Sequence, residues 1–148
     1  MRIVFILLMV STLFLACEPE AIVSLEPEGA CWKISNRLSW SHEHDGGRLE
    51  FPVIISMDGE YPFSNMYLKA HITGDGLDTT ITSSYTFVDP LGNWLVEQEG
   101  SLYKVAHPLF KKIELHSGSY TISLQHNMRP ERVCGVHDIR VVQKTPKP

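Results

Sequence analysis

Nowhere does this 148-residue chain hold the run of about 20 apolar residues that a membrane-spanning helix needs. It also lacks any cluster of basic residues: 13 Lys and Arg stand against 17 Asp and Glu, a formal net charge of −4. A binding surface for nucleic acid needs a basic stripe, and attraction to anionic lipid headgroups needs a polybasic segment, so neither is an expected source of affinity. There is no "GxSxG" turn for a serine nucleophile and no paired-cysteine metal spacing, since only three cysteines occur. Internal repeats and a sustained helical period are missing as well. One modest domain remains, too short for two comfortable cores.

What is present begins with an apolar N-terminus. Arg2 is the only charge before "FLAC", and Ile3 to Val10 is an unbroken apolar run that Leu13 to Leu15 extends. A short positive start, an apolar stretch and a small residue at a cleavage point make a secretory signal over residues 1–16. Cleavage after Ala16 leaves Cys17 first, the arrangement in which a bacterial lipoprotein carries lipid on its cysteine sulfur. Acyl chains at about 0.8 kcal/mol per buried CH2 would then hold the chain to a bilayer. Two prolines and four glutamates between Glu18 and Gly29 make residues 17–29 read as a flexible acidic tether. The domain is expected over 30–143, with a short tail at 144–148.

From there the hydrophobic period is two. Phe51, Val53, Ile55 and Met57 alternate with other residues, as do Met66, Leu68, Ala70 and Ile72, then Tyr120, Ile122 and Leu124, then Ile139 and Val141. Such alternation marks strands with one face in a core and one in water. Turn signals at "HDGG", "MDGEYP", "TGDG", "DPLGN", "HSGS" and "MRPE" separate them. The expected fold is all-β, a single antiparallel β-sandwich of immunoglobulin-like or jelly-roll-like kind. Residues 106–115 are the one place where a short helix or 3₁₀ turn could fit. Residues 118–142 are expected to form a hairpin-like pair, with Ile122 and Leu124 packed against Ile139 and Val141.

Candidate chemistry is sparse. His42, Glu43, His44 and Asp45 could approach a metal, but zinc wants three or four rigidly held ligands, and a solvated loop is the better reading. Asp75 and Asp78 lack the oxygen count calcium needs and read as a turn. His107, His116, His126 and His137 are isolated in sequence. No catalytic group, metal or cofactor is expected. Trp32, Trp40 and Trp94 either fill a small β core, the simpler reading, or offer a stacking platform for sugar rings. Cys31 and Cys134 are either bridged, closing a loop of about 100 residues worth roughly 4–5 kcal/mol in the chain-entropy account, or two separate buried thiols. An exported chain permits the bridge.

Three segments carry a resemblance. "YPFSNMYLKAHI" (61–72), "DTTITSSYTFVDPLGNWL" (78–95) and "GSYTISLQHNMRPERVCGVHDIRVV" (118–142) together resemble the gliding-motility lipoprotein H family, GldH. The resemblance spans roughly residues 45–142, and the lipoprotein start agrees with it. It implies a cell-envelope lipoprotein of the gliding and associated secretion machinery, without implying a reaction. Physically, "YPFSN" and "DPLGN" read as turns. Pro62 fixes φ with Ser64 or Asn65 capping by a side chain, and Pro90 and Gly92 suit the corners of a β-turn. Gln125 and Arg129 either tie their turn to a neighbouring strand, the simpler reading, or contact a partner. The expected partners are the bilayer, through the N-terminal lipid, and other envelope proteins; the outer membrane is the expected location. The leading functional expectation is a non-enzymatic scaffold or interaction module; a glycan-binding lipoprotein is the alternative.

Overall fold

A computed structural model describes residues 19–143, with residues 109–112 described by their backbone alone. Cys17 therefore lies outside the described residues. The elements are β1 (Ala21–Leu25), a 3₁₀ turn (Glu28–Ala30), β2 (Cys31–Lys33), β3 (Leu38–Met57), β4 (Asn65–Gly74), β5 (Leu77–Thr86), β6 (Glu97–Glu99), β7 (Leu102–His126), β8 (Arg132–Cys134) and β9 (Val136–Val142). The chain is all-β, and its antiparallel sheets are not closed into a barrel, as in a sandwich.

The frame is one very long ribbon. β3 and β7 pair antiparallel from Leu38–Leu124 to Met57–Tyr103. Near its middle Leu49 faces Ile113 but Phe51 faces Leu109, so β7 carries extra residues and the ladder is interrupted. Gly46 and Gly47, at φ +97° and +101°, sit just before that point, and Pro52 stands opposite Pro108, where neither can donate to a ladder. The ribbon thus has two halves with different neighbours. Around its open end, Val53 to Met57 pairs with β9, and β9 in turn with β1, while β6 joins β7. Around the other end, Leu68 to Thr73 of β4 pairs with Thr121 to His126 of β7, and β5 pairs with β4. We call these the first and second layers. His107 of the first layer joins them: its Nε2 lies 2.7 Å from Ser83 Oγ and its ring 5.0 Å from that of Tyr85, both on β5.

Register explains the core. Leu38, Leu124, Ala70 and Ile81 form one row across the second layer, and Trp40, Ile122, Ile72 and Thr79 the next. Across the first layer, Val53 faces Val141 and Ile55 faces Ile139. All the alternating residues singled out above are buried, and Ile81, at the end of its row, is half-buried against the core. The antiparallel β-sandwich expected from the period is what forms.

Three local expectations need correction. Residues 106–115 are strand, not helix, because residues 106–109 and 113–115 pair into the long ladder with β3 on either side of its interruption, which outweighs a weak local preference. Residues 118–142 are not a hairpin: β9 pairs with β3 and β1, and β8 intervenes to pair with β2, although Ile122, Leu124, Ile139 and Val141 do face one core. The acidic stretch at 17–29 is not wholly a tether, since Ala21–Leu25 adds to the free side of β9 and brings Val23 and Leu25 against the core. Its apolar "AIVSL" core outweighs the flanking prolines.

Cys31 and Cys134 stand directly opposite each other in the β2–β8 pair and form a disulfide across 103 residues of chain. The pair covers one end of the core: Trp32 and Val133 are buried, and the Trp32 indole donates to Asn36 O at 2.8 Å.

Candidate functional site

The segment Tyr61 to Asn65 is built as a rigid turn. Asp58 Oδ1 accepts from the Glu60 N–H at 2.9 Å, and the buried Tyr61 hydroxyl donates to Asn65 O at 2.9 Å. Burial raises the Tyr61 phenol far above its usual range, so it remains a donor. The Ser64 carbonyl accepts from Phe87 and Val88 N–H. The turn is therefore capped by a tyrosine hydroxyl and a backbone carbonyl rather than by the Ser64 or Asn65 side chain. Gly135 packs under it. A Cβ there would lie 2.6 Å from Tyr61 N, at a φ of +79°, so only glycine fits without strain.

The "DPLGN" turn has the expected positive φ at Gly92 (+87°) and an Asp89 O to Gly92 N–H bond of 3.0 Å. Sequence reading missed its main fastener. Asp89 Oδ1 accepts from Leu91 and Asn93 N–H, and its Oδ2 accepts from the Asn93 amide, which holds the carboxyl below its usual range.

The first of two neighbouring hollows forms where distant segments meet. Phe63, Asn65 and Tyr67 come from one, and Asn127, Met128, Arg129 and Pro130 from another; together they line about 430 Å³. Asn127 N–H donates to Tyr67 O at 2.7 Å, and Tyr67 N–H to Met128 Sδ at 3.3 Å, which fixes the two segments together. Arg129 and Tyr67 are exposed. The Arg129 guanidinium makes no hydrogen bond to another described residue. Directly beneath lies His126, fully buried, its Nδ1 accepting from Met128 N–H at 3.4 Å and its ring edge-on to Trp32 at 5.3 Å. Burial pushes its pKa down, while the nearby Glu131 and Trp32 carbonyls pull the other way.

The second hollow lies on the solvent face of the second layer. It is lined by Arg37, Lys69, His71, Thr80, Ser123 and Gln125 and has about 130 Å³. Register dictates the grouping: Lys69 stands opposite both Gln125 and Thr82, and His71 opposite both Ser123 and Thr80. His71 Nε2 is 2.7 Å from Asp78 Oδ1 at the rim. Gln125 is half-buried, and its amide makes no hydrogen bond to another described residue.

The remaining candidates are scattered. His42 and His44 bond to each other at 3.1 Å, and His44 Nε2 reaches Gly47 O, so they close a local loop; burial and then His44 lower the His42 pKa. No group of three His, Cys, Asp or Glu side chains converges among the described residues. Trp32 and Trp40 are buried, and Trp94 is sandwiched between Phe87 and Tyr103, stacking on the latter at 3.8 Å. The three tryptophans thus form no shared exposed platform. Asp75 sits in the β4–β5 turn at φ +47°.

Fold and site together define a small all-β module that presents a hydroxyl-rich, cation-bearing sheet face. A family model described as GldH lipoprotein matches residues 24–141, and the chain belongs to that family of cell-envelope lipoproteins. No curated protein sequence matches the chain. Among solved structures, it is similar to a crystal structure of uncharacterized protein lmo2446 from Listeria monocytogenes EGD-e, at 11% identity and a TM-score of 0.28. That match covers 84% of this chain but only 11% of the Listeria chain.

Proposed function

We propose that this protein is a non-enzymatic interaction module of the gliding-motility and associated secretion machinery, anchored to the outer membrane by lipid on Cys17. The observation that carries the reading is the hollow at Phe63, Tyr67, Met128 and Arg129. Two of the segments that resemble the family meet there, and the exposed Arg129 is left unengaged among the described residues. The occupant we propose is a segment of another envelope protein that seats an apolar side chain on Phe63 and Met128 and a carboxylate on Arg129. Arginine suits this task because its planar fork grips a carboxylate through two bonds. The inward packing of the tryptophans weighs against the glycan alternative.

The test is recovery of the complex from native envelopes with wild-type and Arg129→Ala lipoprotein at equal abundance. Loss of a partner at an unchanged melting temperature supports the reading. An unchanged set of partners, or a fall in melting temperature that accounts for the loss, overturns it.

A further inference from the structure

On the solvent face of the second layer, every side chain lining the smaller hollow can donate a hydrogen bond, and none is a carboxylate. Arg37 and Lys69 bring two cations. Gln125 brings an amide, Ser123 and Thr80 hydroxyls, and His71 a ring nitrogen. In a chain of net charge −4 this grouping is against the grain of the composition. Neither Arg37 nor Lys69 makes an ion pair with a described acid. The Asp78 carboxyl is turned to His71 at the rim. The residues come from four places in the sequence, the turn before β3 and strands β4, β5 and β7, and the sheet register fixes them side by side.

From this arrangement we infer a binding site for a phosphate group. The hollow, at about 130 Å³, takes one oxyanion and a few waters rather than a whole sugar ring or nucleotide. Leaving aside His71, whose Nε2 is engaged by Asp78, the donors on Arg37, Lys69, Gln125, Ser123 and Thr80 outnumber what the two oxygens of a carboxylate can accept, and they match the acceptor-rich oxygens of a phosphate mono- or diester. Arg37 supplies the fork and Lys69 the point charge, the two usual modes of phosphate recognition. Gln125 and Ser123, on the adjacent strand, fix orientation. The rest of the ligand extends over the hydroxyls of Thr82 and Ser84. This site shares no lining residue with the hollow at Arg129, so either can fail alone.

The full-length lipoprotein in detergent is titrated with inorganic phosphate, following the Lys69 and His71 side-chain NMR signals, with acetate and chloride as comparisons. Saturable phosphate binding is expected with a Kd on the order of millimolar, weakened about ten-fold or more in Arg37→Ala/Lys69→Ala. Arg48→Ala, which removes an exposed cation elsewhere, should leave it unchanged. Phosphate binding no tighter than chloride, equal binding of acetate, or an equal effect of Arg48→Ala overturns the site. Short-chain dihexanoyl phosphatidylglycerol, kept below micelle formation, separates the sources. Tighter binding than inorganic phosphate, lost in the double variant, places the phosphate on a lipid. The reverse order, with the same dependence on Arg37 and Lys69, places it on a soluble or sugar-borne ester.

Discussion

The two layers bury alike and expose differently. Inward, both present unbroken rows of apolar residues, Val53, Ile55, Ile139 and Val141 in the first and Leu38, Leu124, Ile122 and Ile72 in the second. Outward, the first layer pairs several charges among its own residues. Arg140 Nε meets Asp138 Oδ2 at 2.7 Å, Lys104 pairs with Glu99, and His137 Nε2 meets Asp58 Oδ2 at 2.6 Å. The second layer's outer face carries serines and threonines, an exposed tyrosine, and the cations Arg37 and Lys69 with no described acid to answer them. One layer sets charge against charge on its own face, and the other leaves Arg37 and Lys69 without a described acid. Surface ion pairs are worth little, so the contrast concerns what each face can accept rather than how stable each is.

The inner similarity can be broken first. Ile122→Ala in the second layer and Ile139→Ala in the first each remove a fully buried side chain and should cost about 2–5 kcal/mol. Urea denaturation midpoints check this; a cost below 1 kcal/mol at either site would show that the two layers do not share one core. Replacing both Cys31 and Cys134 with serine should cost about 2–5 kcal/mol. It should loosen the β2–β8 cover before either layer, seen as faster amide exchange at Trp32 and Val133.

A pH series sharpens the comparison. His126 of the second layer has a folded pKa below its unfolded value near 6.5. Protons therefore bind the unfolded chain first, and the stability it supports is present above about pH 6.5 and declines as pH falls below it. Asp58, near the first layer, is held low chiefly by its hydrogen bond to His137. Its contribution is present above the unfolded carboxyl range near 4 and is lost as pH falls through the folded value. His126→Gln should flatten the limb between pH 6.5 and 5 and leave the limb below 4; melting temperatures across pH 3–8 read both. The smallest effects belong to the open face. Ser123→Ala and Thr82→Lys should change stability by no more than about 0.5 kcal/mol, and a larger loss by thermal melting would mean that this face is structural.

Much of this was legible in the alternation. Phe51 to Met57, Met66 to Ile72 and Tyr120 to Leu124 declare their inner faces because one side of each strand must leave water. Strand neighbours were not legible. Nothing in Ile139 or Val141 says that they pair with β3 rather than β7, since pairing at long separation depends on the whole sheet. The Ala21–Leu25 strand was hidden by flanking prolines and acids, and at 106–115, where a short helix could fit, Pro108 obscured a strand held from both ends. The candidate sites divide in the same way. Arg129 and Gln125 are polar residues at a strand end and the turn after it, so they could be picked out. Phe63 and Lys69 lie in a resembling segment too, but they carry no local signal of a site, and neither does Arg37; only the fold brings them beside their neighbours.

The Cys31–Cys134 bond makes residues 31–134 a closed covalent ring, with the N-terminal stretch and β9 leaving from the same point. A pull between the N-terminal segment and the end of β9 runs along a short path through two sulfur atoms. It bypasses the chain from β3 to β7, so those strands hang from that path, and the load falls on the β1–β9 pair and the two sulfur atoms. A single proteolytic cut anywhere between Trp32 and Val133 would likewise leave one molecule. Only a partner seated inside the ring, as at Arg129 or Lys69, draws tension into the strands from β3 to β7. The outer face is thus the place where those strands would feel a load.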